Sequence, residues 1–394
     1  MLDLCPLCTA TLPIPFLTRQ RTPAMQNALA PSAESARALP TADLTFACCQ
    51  RCGFVCNASF EPEQTAYDQH YENSQHHSPS FSRYLDDLVE RVACKAPHNA
   101  HIVEVGCGKG EFLRRLLKRL GPGARGTGYD PAYEGPLVDL AGQLKFERRF
   151  FDETAACERV DIIICRHVIE HVPNPLEMLR AIRSAIGPVG NALVFFETPC
   201  IDWILRSGVA WDFFHEHCSL FSKSSLTFAF SASGFAVVAV DQIFGGQYLL
   251  IEAYASQQFV PLPAPASTPT LASEFFARCE SLLIRWQSLV QTARTDGPVA
   301  VWGAGAKGVT FLNILDPDAC LIVAAIDINP RKQNMYVPGT GHQCLAPNAL
   351  TALGIHSALV TNPNYKDEVC SIIQEIAPDC RVIDLMEAAS ETYS

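Results

Sequence analysis

The chain has 394 residues, enough for two or three domains, and its 48% hydrophobic and 18% charged residues supply packed cores and little disorder. The 30 Lys and Arg against 41 Asp and Glu give a formal net charge of −11, which argues against a nucleic-acid-binding protein. No apolar run approaches the roughly 20 residues that cross a bilayer, and no signal peptide is recognisable, so we expect a cytoplasmic protein with no membrane partner.

The first predicted unit, residues 1–66, contains two C-x-x-C pairs. Each pair places two thiolates on one tight turn, and Gly53 after the second pair lets backbone N–H groups reach the sulfurs. We therefore predict a zinc-ribbon-like module in which a closed set of four thiolates holds a structural Zn²⁺ ion. The predicted ligands are Cys5, Cys8, Cys49 and Cys52. Buried free cysteine is the alternative, and we expect it for Cys48 and Cys56. The 17 cysteines are odd in number and scattered, which favours reduced thiols over disulfides.

The second unit, residues 67–257, alternates short β-branched segments with helical patterns. The segments IVEVG, ARGTGYD, VDIIICR and NALVFFETP are predicted strands, and EFLRRLLKRL is a predicted amphipathic helix. This alternation is typical of βαβ units and a parallel sheet.

A glycine turn follows the first of these strands and opens the helix. Three alternate glycines let a ligand lie against the backbone at a helix N-terminus, as for a dinucleotide or S-adenosylmethionine (SAM). The acidic Glu104 and the spacing E-x-G-x-G-x-G favour SAM. Asp130 is placed to accept hydrogen bonds from both ribose hydroxyls, and Asp152 to cap the adenine amino group; ordinary turn residues are the alternative for both. The three glycines are Gly106, Gly108 and Gly110.

The third unit, residues 258–394, is predicted to be a smaller Rossmann-like domain. Four prolines between positions 261 and 269 indicate a linker, and a long amphipathic helix follows at about 271–294. The turn Gly303-Ala-Gly305-Ala-Lys307-Gly then lies between a strand and a helix, with Asp327 at the end of the next strand. Because this is a fair dinucleotide fingerprint, an NAD-dependent oxidoreductase is a rival function.

The motifs together resemble a known family. VEVGCGKGEFL, Asp130 and DIIICRHVIEHVPNP resemble the successive motifs of class I SAM-dependent methyltransferases. With the cysteine pairs, the His215-Glu216-His217 motif and the last domain, the chain resembles three-domain sugar C-methyltransferases, which act on nucleotide-linked 4-keto deoxysugars. The resemblance implies an α/β fold with a zinc-ribbon-like module, a class I methyltransferase Rossmann-like core and a smaller C-terminal Rossmann-like domain. It also implies SAM as methyl donor and a nucleotide-linked sugar or related keto compound as acceptor.

Carbon methylation beside a ketone requires a base that removes the α-proton, and histidine is suited to this near neutral pH. The resemblance places Glu216 and His217 in the active site, with His217 as the proton acceptor and His215 in contact with the substrate. His167, which ends the fourth strand, should face the transferred methyl group or the keto oxygen. His171 is expected to be a structural residue on a helix.

Two tyrosines and the second glycine turn complete the predicted site. Tyr67 and Tyr71 resemble the family's active-site entry segment, where a phenol would contact the sugar or line the SAM pocket; packing between domains is the alternative. GAGAKG resembles a domain that holds the acceptor's nucleotide phosphates, with Gly303, Gly305 and Lys307 as binding residues. Purely structural roles and a working redox cofactor are the alternatives.

One stretch departs from the family's histidine–glycine–glycine–serine sequence. This chain has Phe244-Gly-Gly-Gln247-Tyr248, which leaves the acceptor open. Methylation of a sugar or metabolite hydroxyl is the alternative reaction. A non-catalytic nucleotide-binding module and a zinc-ribbon adaptor for nucleic acid are weaker alternatives, because a binder needs no base and the chain is acidic.

Overall fold

The computed structural model describes residues 2–65, 72–155, 160–187, 190–256 and 267–390. The strands are β1 (Leu17–Pro23), β2 (Thr41–Cys48), β3 (Val55–Asn57), β4 (His101–Val105), β5 (Arg125–Tyr129), β6 (Val138–Asp139), β7 (Leu144–Glu147), β8 (Ile162–Arg166), β9 (Leu193–Pro199), β10 (Ser219–Leu220), β11 (Phe235–Ile243), β12 (Tyr248–Ala255), β13 (Val299–Trp302), β14 (Ala324–Ile326), β15 (Cys344–Leu345), β16 (Ser357–Val360) and β17 (Arg381–Asp384). The helices are α1 (Ala33–Arg37), α2 (Pro79–Ala93), α3 (Glu111–Leu120), α4 (Pro175–Ile186), α5 (Ile201–Ser207), α6 (Lys223–Ala232), α7 (Thr268–Asp296), α8 (Ala306–Leu315), α9 (Ala349–Ala352), α10 (Lys366–Ile376) and α11 (Leu385–Ser390). Among these helices, none has both the length and the apolar character needed to cross a bilayer.

The N-terminal part forms a four-stranded antiparallel sheet with the order β1-β2-β3-β10. Its last strand, β10, comes from far along the chain, two residues after His217, and pairs with β3 through Ser219 opposite Cys56. The cysteine module is therefore joined directly to the segment that carries the histidine motif.

The central sheet has eight strands in the order β11-β12-β9-β8-β4-β5-β7-β6. The five strands from β9 to β7 are parallel, whereas the β11–β12 hairpin and β6 pair antiparallel at the two edges. Residues Ile162 to Cys165 of β8 are all buried, as expected for a strand covered on both faces. This is the class I methyltransferase architecture, and the predicted α/β fold class is confirmed.

The C-terminal sheet is fully parallel, with the order β15-β14-β13-β16-β17, and it confirms the second Rossmann-like fold. Helix α7 precedes it and begins at Thr268, so Pro269 lies in its first turn and not in a linker as predicted. Proline is tolerated there because the first turn of a helix has no backbone N–H bond to lose. Residues 257–266, which include the other three prolines, lie outside the described residues.

Aromatic packing joins residues of all three parts in one hydrophobic core cluster. Phe213, close to the histidine motif, contacts Phe46 of β2 at a ring distance of 5.0 Å and Phe275 of α7 at 5.4 Å. We retain residues 1–66, 67–257 and 258–394 as proposed domains that share this core.

Both parallel sheets reverse their strand order beside a glycine turn. Strand β4 lies between β5 and β8, and β13 lies between β14 and β16. Ligands of open α/β sheets bind in the crevice at the carboxyl ends of such strands. The two turns thus mark two candidate ligand crevices.

Candidate active site

The first glycine turn, residues 106–110, joins β4 to α3 and has three glycines with left-handed backbone. A Cβ atom at Gly106 would lie 2.2 Å from Val168 Cγ2, and one at Gly110 would lie 2.5 Å from the Phe146 ring. At Gly108 a Cβ atom would meet no described atom within 4 Å. Two of the glycines therefore permit close packing, whereas Gly108 leaves an open face of backbone.

Glu104 lies at the base of this turn with only 2% of its surface exposed. Burial raises the pKa of its carboxyl to about 8, above the usual range. Its Oε2 atom is buried and has no hydrogen-bond partner among the described residues. A buried acceptor without a partner costs free energy, and the cationic amino-acid end of SAM would satisfy it. The residues present therefore fit SAM.

Asp130 follows β5 and fastens the turn, because its two carboxylate oxygens accept hydrogen bonds from the backbone N–H groups of Gly108 and Ala132, each at 2.8 Å. Its position beside Gly108 is compatible with the predicted ribose contact, since each oxygen keeps a further lone pair. Asp152 lies in an exposed turn and accepts a hydrogen bond from the Thr154 N–H at 2.8 Å. The adenine contact of Asp152 stays a prediction.

His167 comes directly after β8 and is held between two buried carboxylates. One ring nitrogen, Nε2, lies 2.8 Å from Glu197 Oε1, and Nδ1 lies 3.2 Å from Glu170 Oε1. Burial alone would lower the pKa of His167, but the two carboxylates outweigh it and raise the pKa to about 9. His167 is therefore a charged imidazolium at neutral pH, with both N–H groups engaged.

The second carboxylate of this network, Glu197 on β9, has further partners. Arg166 Nε lies 2.7 Å from its Oε2 atom, and the Tyr84 hydroxyl donates to Oε1 at 2.6 Å. Burial opposes ionisation of Glu197, yet the charges of Arg166 and His167 hold its pKa well below the usual range. The network fixes His167 in position and keeps it charged.

His217 has the opposite character. Burial lowers its pKa well below the usual value, and the nearby charges of His171, His167 and Lys307 lower it further. The ring is therefore neutral at pH 7 and retains a lone pair. Its Nδ1 atom is buried without a hydrogen-bond partner within the described ranges. The structure thus brings a neutral histidine and a charged histidine to one end of the central sheet.

His171 and Glu216 complete this group. The His171 ring stands edge-on to His217 at 4.7 Å, and its Nδ1 atom lies 4.0 Å from Glu216 Oε2. Glu216 is buried, and its Oε1 atom accepts a hydrogen bond from the Gln26 N–H at 3.1 Å. Sequence reasoning placed His171 on a helix as a structural residue, but it ends a short 3₁₀ turn, Ile169–His171, beside His217. The H-x-x-E-H pattern after a buried strand is the sequence feature that could have indicated a site role for His171.

One predicted residue within the described ranges, His215, is not brought to this group. His215 is fully buried and packs on Phe60 of the N-terminal part at a ring distance of 5.1 Å. Burial lowers its pKa, so it is a neutral ring in a packed interface. Its contact with substrate stays a prediction. Tyr67 and Tyr71 lie outside the described residues.

The Phe244–Tyr248 turn, where the chain departs from its family pattern, lies against the C-terminal part. The Asn364 side chain donates to the Phe244 carbonyl at 2.8 Å, and Gln247 Nε2 donates to Asn362 Oδ1 at 2.6 Å. The Phe244 ring stacks on Tyr248, whose ring lies 4.5 Å from His167. Aromatic side chains therefore border the charged histidine.

The second glycine turn, residues 303–308, joins β13 to α8 and carries basic side chains. Lys307 forms an ion pair with Asp212 and lies 5.5 Å from the Trp203 ring centroid. Lys332, which the sequence analysis did not predict as a site residue, is buried, with 5% of its surface exposed. Its ammonium group donates to the Ala304 carbonyl at 3.1 Å, and no described carboxylate oxygen lies within 4.0 Å. The sequence feature that could have indicated Lys332 is its position in DINPRK, five residues after Asp327.

The four predicted metal ligands converge in the N-terminal part. The sulfurs of Cys5 and Cys52 lie 3.6 Å apart, and those of Cys8 and Cys49 lie 3.5 Å apart. All four sulfurs fall within 4.8 Å of one another. Tetrahedral zinc with Zn–S bonds of about 2.3 Å has sulfur separations of about 3.8 Å, so this cluster fits the ion.

Comparison with known proteins agrees with this architecture. Residues 74–240 match the family model of a methyltransferase domain, and residues 266–380 match the model of a C-methyltransferase C-terminal domain. The C-methyltransferase NovU of Streptomyces niveus is 26% identical over 309 residues, which cover 73% of this chain and 71% of that protein.

Other relatives match the central part. The ubiquinone biosynthesis O-methyltransferase of Escherichia coli O7:K1 is 29% identical over 119 residues, covering 28% of this chain and 45% of that protein. Among solved structures, a SAM-dependent methyltransferase from Mesorhizobium loti is 17% identical, with a TM-score of 0.35, and covers 43% of this chain and 99% of that chain.

The central sheet, its glycine turn and the matching domain model define a class I SAM-dependent methyltransferase. More particularly, the chain joins this domain to a C-methyltransferase C-terminal domain and has a four-cysteine cluster near the N-terminus.

Proposed function

We propose that this enzyme transfers a methyl group from SAM to a carbon next to the keto group of a nucleotide-activated sugar or a similar metabolite in the cytoplasm. The observation that carries the proposal is the pairing of a neutral, partly buried His217 with a charged His167 near the first glycine turn. Such a pair supplies a base and a positive charge at one end of the central sheet, as proton removal beside a carbonyl requires.

The first turn would hold the methyl donor. SAM supplies a methyl group on a sulfonium centre, which a carbanion can attack. The orphaned carboxylate oxygen of Glu104 would bind its ammonium group, and Asp130 would bind its ribose. The open backbone at Gly108 gives the ligand space to lie against the turn.

His217 would accept the α-proton of the acceptor. Its low pKa means that the lone pair is available at neutral pH. Glu216 would position His171 against it, and the 4.0 Å separation between Glu216 and His171 lets the carboxylate stabilise positive charge as the proton arrives. His167 has both N–H groups bound to carboxylates, so it would act through its charge and stabilise the enolate that forms.

The second turn would recognise the acceptor's phosphates. Lys332 is buried with neutral oxygen partners only among the described residues, and a buried cation without a counter-charge favours an anionic ligand. The positive φ of 100° at Gly303 and the open space beside it leave the backbone accessible. Lys307 is already paired with Asp212, so its predicted contact would add less.

The cysteine cluster would hold one structural Zn²⁺ ion. Four thiolates leave no open coordination position, which favours a structural over a catalytic role. The ion would keep the N-terminal module folded, and with it the loop that places Gln26 against Glu216.

Methylation of a hydroxyl is the second candidate, because part of the chain is similar in sequence to an O-methyltransferase. The same His217 would then deprotonate an oxygen. Both reactions add one methyl mass to the acceptor, and only the position of the methyl group separates them.

The test is incubation of the purified enzyme with SAM and a panel of nucleotide-linked ketosugars. We expect a mass gain of one methyl group on at least one keto acceptor, with the new carbon–carbon bond next to the ketone by NMR. Methylation on oxygen would favour the second candidate. Failure with every keto acceptor, together with methylation of a compound lacking a keto group, would contradict the proposal.

A further inference from the structure

A second set of metal-ligating side chains lies outside the cysteine cluster. Glu170, His171 and His217 each place one ligand atom within 4.8 Å of the others. Glu170 is fully buried, whereas the two histidine rings are partly accessible. A buried carboxylate grouped with two partly accessible imidazoles is an arrangement that can hold a metal ion within reach of solvent.

We propose that Glu170, His171 and His217 bind one divalent transition-metal ion, such as Zn²⁺ or Co²⁺, at a site separate from the four cysteines. Imidazole and carboxylate ligands suit these ions, and three protein ligands leave a coordination position open to solvent. The buried Nδ1 atom of His217, without a partner in the described part of the chain, is the independent sign that the group accepts a further ligand.

The surroundings of Glu170 support this assignment. Its Oε2 atom accepts a hydrogen bond from Thr198 Oγ1 at 3.1 Å, and Oε1 lies 3.2 Å from His167 Nδ1. Metal-binding carboxylates are typically oriented by such outer hydrogen bonds, and each oxygen keeps a lone pair for an ion.

The local charges permit a cation. His167 and Lys307 are positive and would oppose it, but each is already paired with buried carboxylate, Glu197 and Asp212 respectively. Glu216 adds a further carboxylate, 4.0 Å from His171.

The consequence rests on the proposed function. One lone pair of His217 holds either the acceptor's proton or a metal ion, so occupancy of this site and general-base catalysis exclude each other. The ion is therefore an inhibitor, and methyl transfer should fall at least about 10-fold when the site is filled.

The experiment titrates Co²⁺ into the full-length enzyme after its cysteine site has been filled with one equivalent of zinc per chain and unbound zinc has been removed. Co²⁺ bound by nitrogen and oxygen gives weak visible bands without the strong sulfur-to-cobalt charge-transfer band of a thiolate site. We expect one such Co²⁺ per chain, loss of these bands in His171→Asn and His217→Asn, and roughly 10-fold weaker binding in Thr198→Val. The matched control, His98→Asn, changes an exposed histidine and should bind Co²⁺ as the parent does.

S-Adenosylhomocysteine (SAH) binding by each variant verifies that it is folded. Absence of Co²⁺ binding to the zinc-loaded enzyme, or Co²⁺ binding that survives both histidine substitutions, would overturn the site. Co²⁺ binding that leaves methyl transfer unchanged would overturn the inhibition. Because Co²⁺ binding is read without SAM or acceptor, its outcome is independent of whether the proposed methylation is correct.

Discussion

The two glycine turns share one backbone hydrogen-bond arrangement but lie beside different buried ionisable side chains. Each follows a central strand of a parallel sheet and opens a helix. In the first, Asp130 accepts a hydrogen bond from Gly108 N–H at 2.8 Å, and in the second Asp327 accepts one from Ala304 N–H at 2.8 Å. In each case, therefore, the aspartate that follows the neighbouring strand holds the turn in place through this hydrogen bond.

The difference lies in the side chain buried beside each turn. Glu104 supplies an unpaired carboxylate oxygen to the first, whereas Lys332 supplies an ammonium group to the second. A glycine turn alone therefore does not select between a cationic ligand and a phosphate; the ionisable side chain buried beside it does. The comparison predicts that substitutions at one turn leave the ligand of the other unaffected.

The largest effect should follow loss of zinc, because the N-terminal module contacts Glu216 in the histidine group and Lys332 beside the second turn. Its loop places Gln26 N–H 3.1 Å from Glu216 and Asn27 Oδ1 3.4 Å from Lys332 Nζ. We expect Cys49→Ser to lose the zinc ion, on the order of one per chain, and to lower the free energy of unfolding by about 3 kcal/mol or more.

Metal analysis and thermal unfolding measure this effect, with the exposed Cys94→Ser as the matched control. A Cys49→Ser protein with full stability and intact binding at both turns would show that the module is dispensable.

The next effect is confined to chemistry near the first turn. We expect His217→Asn to lower kcat by about 10²- to 10⁴-fold, because the asparagine amide has no basic lone pair for the acceptor's proton. SAH affinity should remain within about 2-fold of the parent. Initial rates and calorimetry give the two values, and the exposed His356→Asn serves as control. Full activity in His217→Asn would remove this residue as the base.

A smaller effect should distinguish the two turns by the charge of the ligand that each binds. We expect Glu104→Gln to weaken SAH binding by about 10- to 100-fold, because the ligand's ammonium group loses a buried ionic partner. Binding of a nucleoside diphosphate should not change. Calorimetry with both ligands measures this, and equal SAH affinity in the variant would contradict the role of Glu104.

The pH dependence sharpens the same point. Since burial raises the pKa of Glu104 to about 8, the carboxyl must lose a proton before it pairs with the ligand's ammonium group. SAH affinity should therefore rise from pH 6 to about 8, with proton release on binding, and the rise should disappear in Glu104→Gln. An SAH affinity of the parent enzyme that does not change over this pH range would contradict the prediction.

The smallest predicted effect concerns the second turn. We expect Lys332→Met to weaken nucleoside diphosphate binding by about 10-fold, while Lys307→Met has less effect because Lys307 is paired with Asp212. SAH affinity should be the same in both variants, and it also verifies that they are folded. A larger loss in Lys307→Met than in Lys332→Met would reverse the assignment.

The sequence was sufficient for the features that depend on local pattern. Apolar segments and glycine spacing predicted both parallel sheets, the first turn and α3, because each feature is encoded within about 20 neighbouring residues. The C-x-x-C pairs likewise predicted the convergence of four cysteines.

What was missed depends on tertiary contacts. His171 meets His217 across 46 positions of chain, and Lys332 reaches Ala304 across 28. The charge on His167 depends on Glu197, 30 positions away. As a residue type, histidine has a pKa near neutral pH. Only its contacts with packed carboxylates determine whether a particular histidine holds a proton.

The most direct test of the central claim is a calorimetric titration of one enzyme sample with SAH and then with a nucleoside diphosphate. The account predicts that both bind together, one of each per chain, with Glu104→Gln weakening only the first and Lys332→Met only the second. Competition between the two ligands for one turn, or tight uptake of NAD with no heat from SAH, would contradict it.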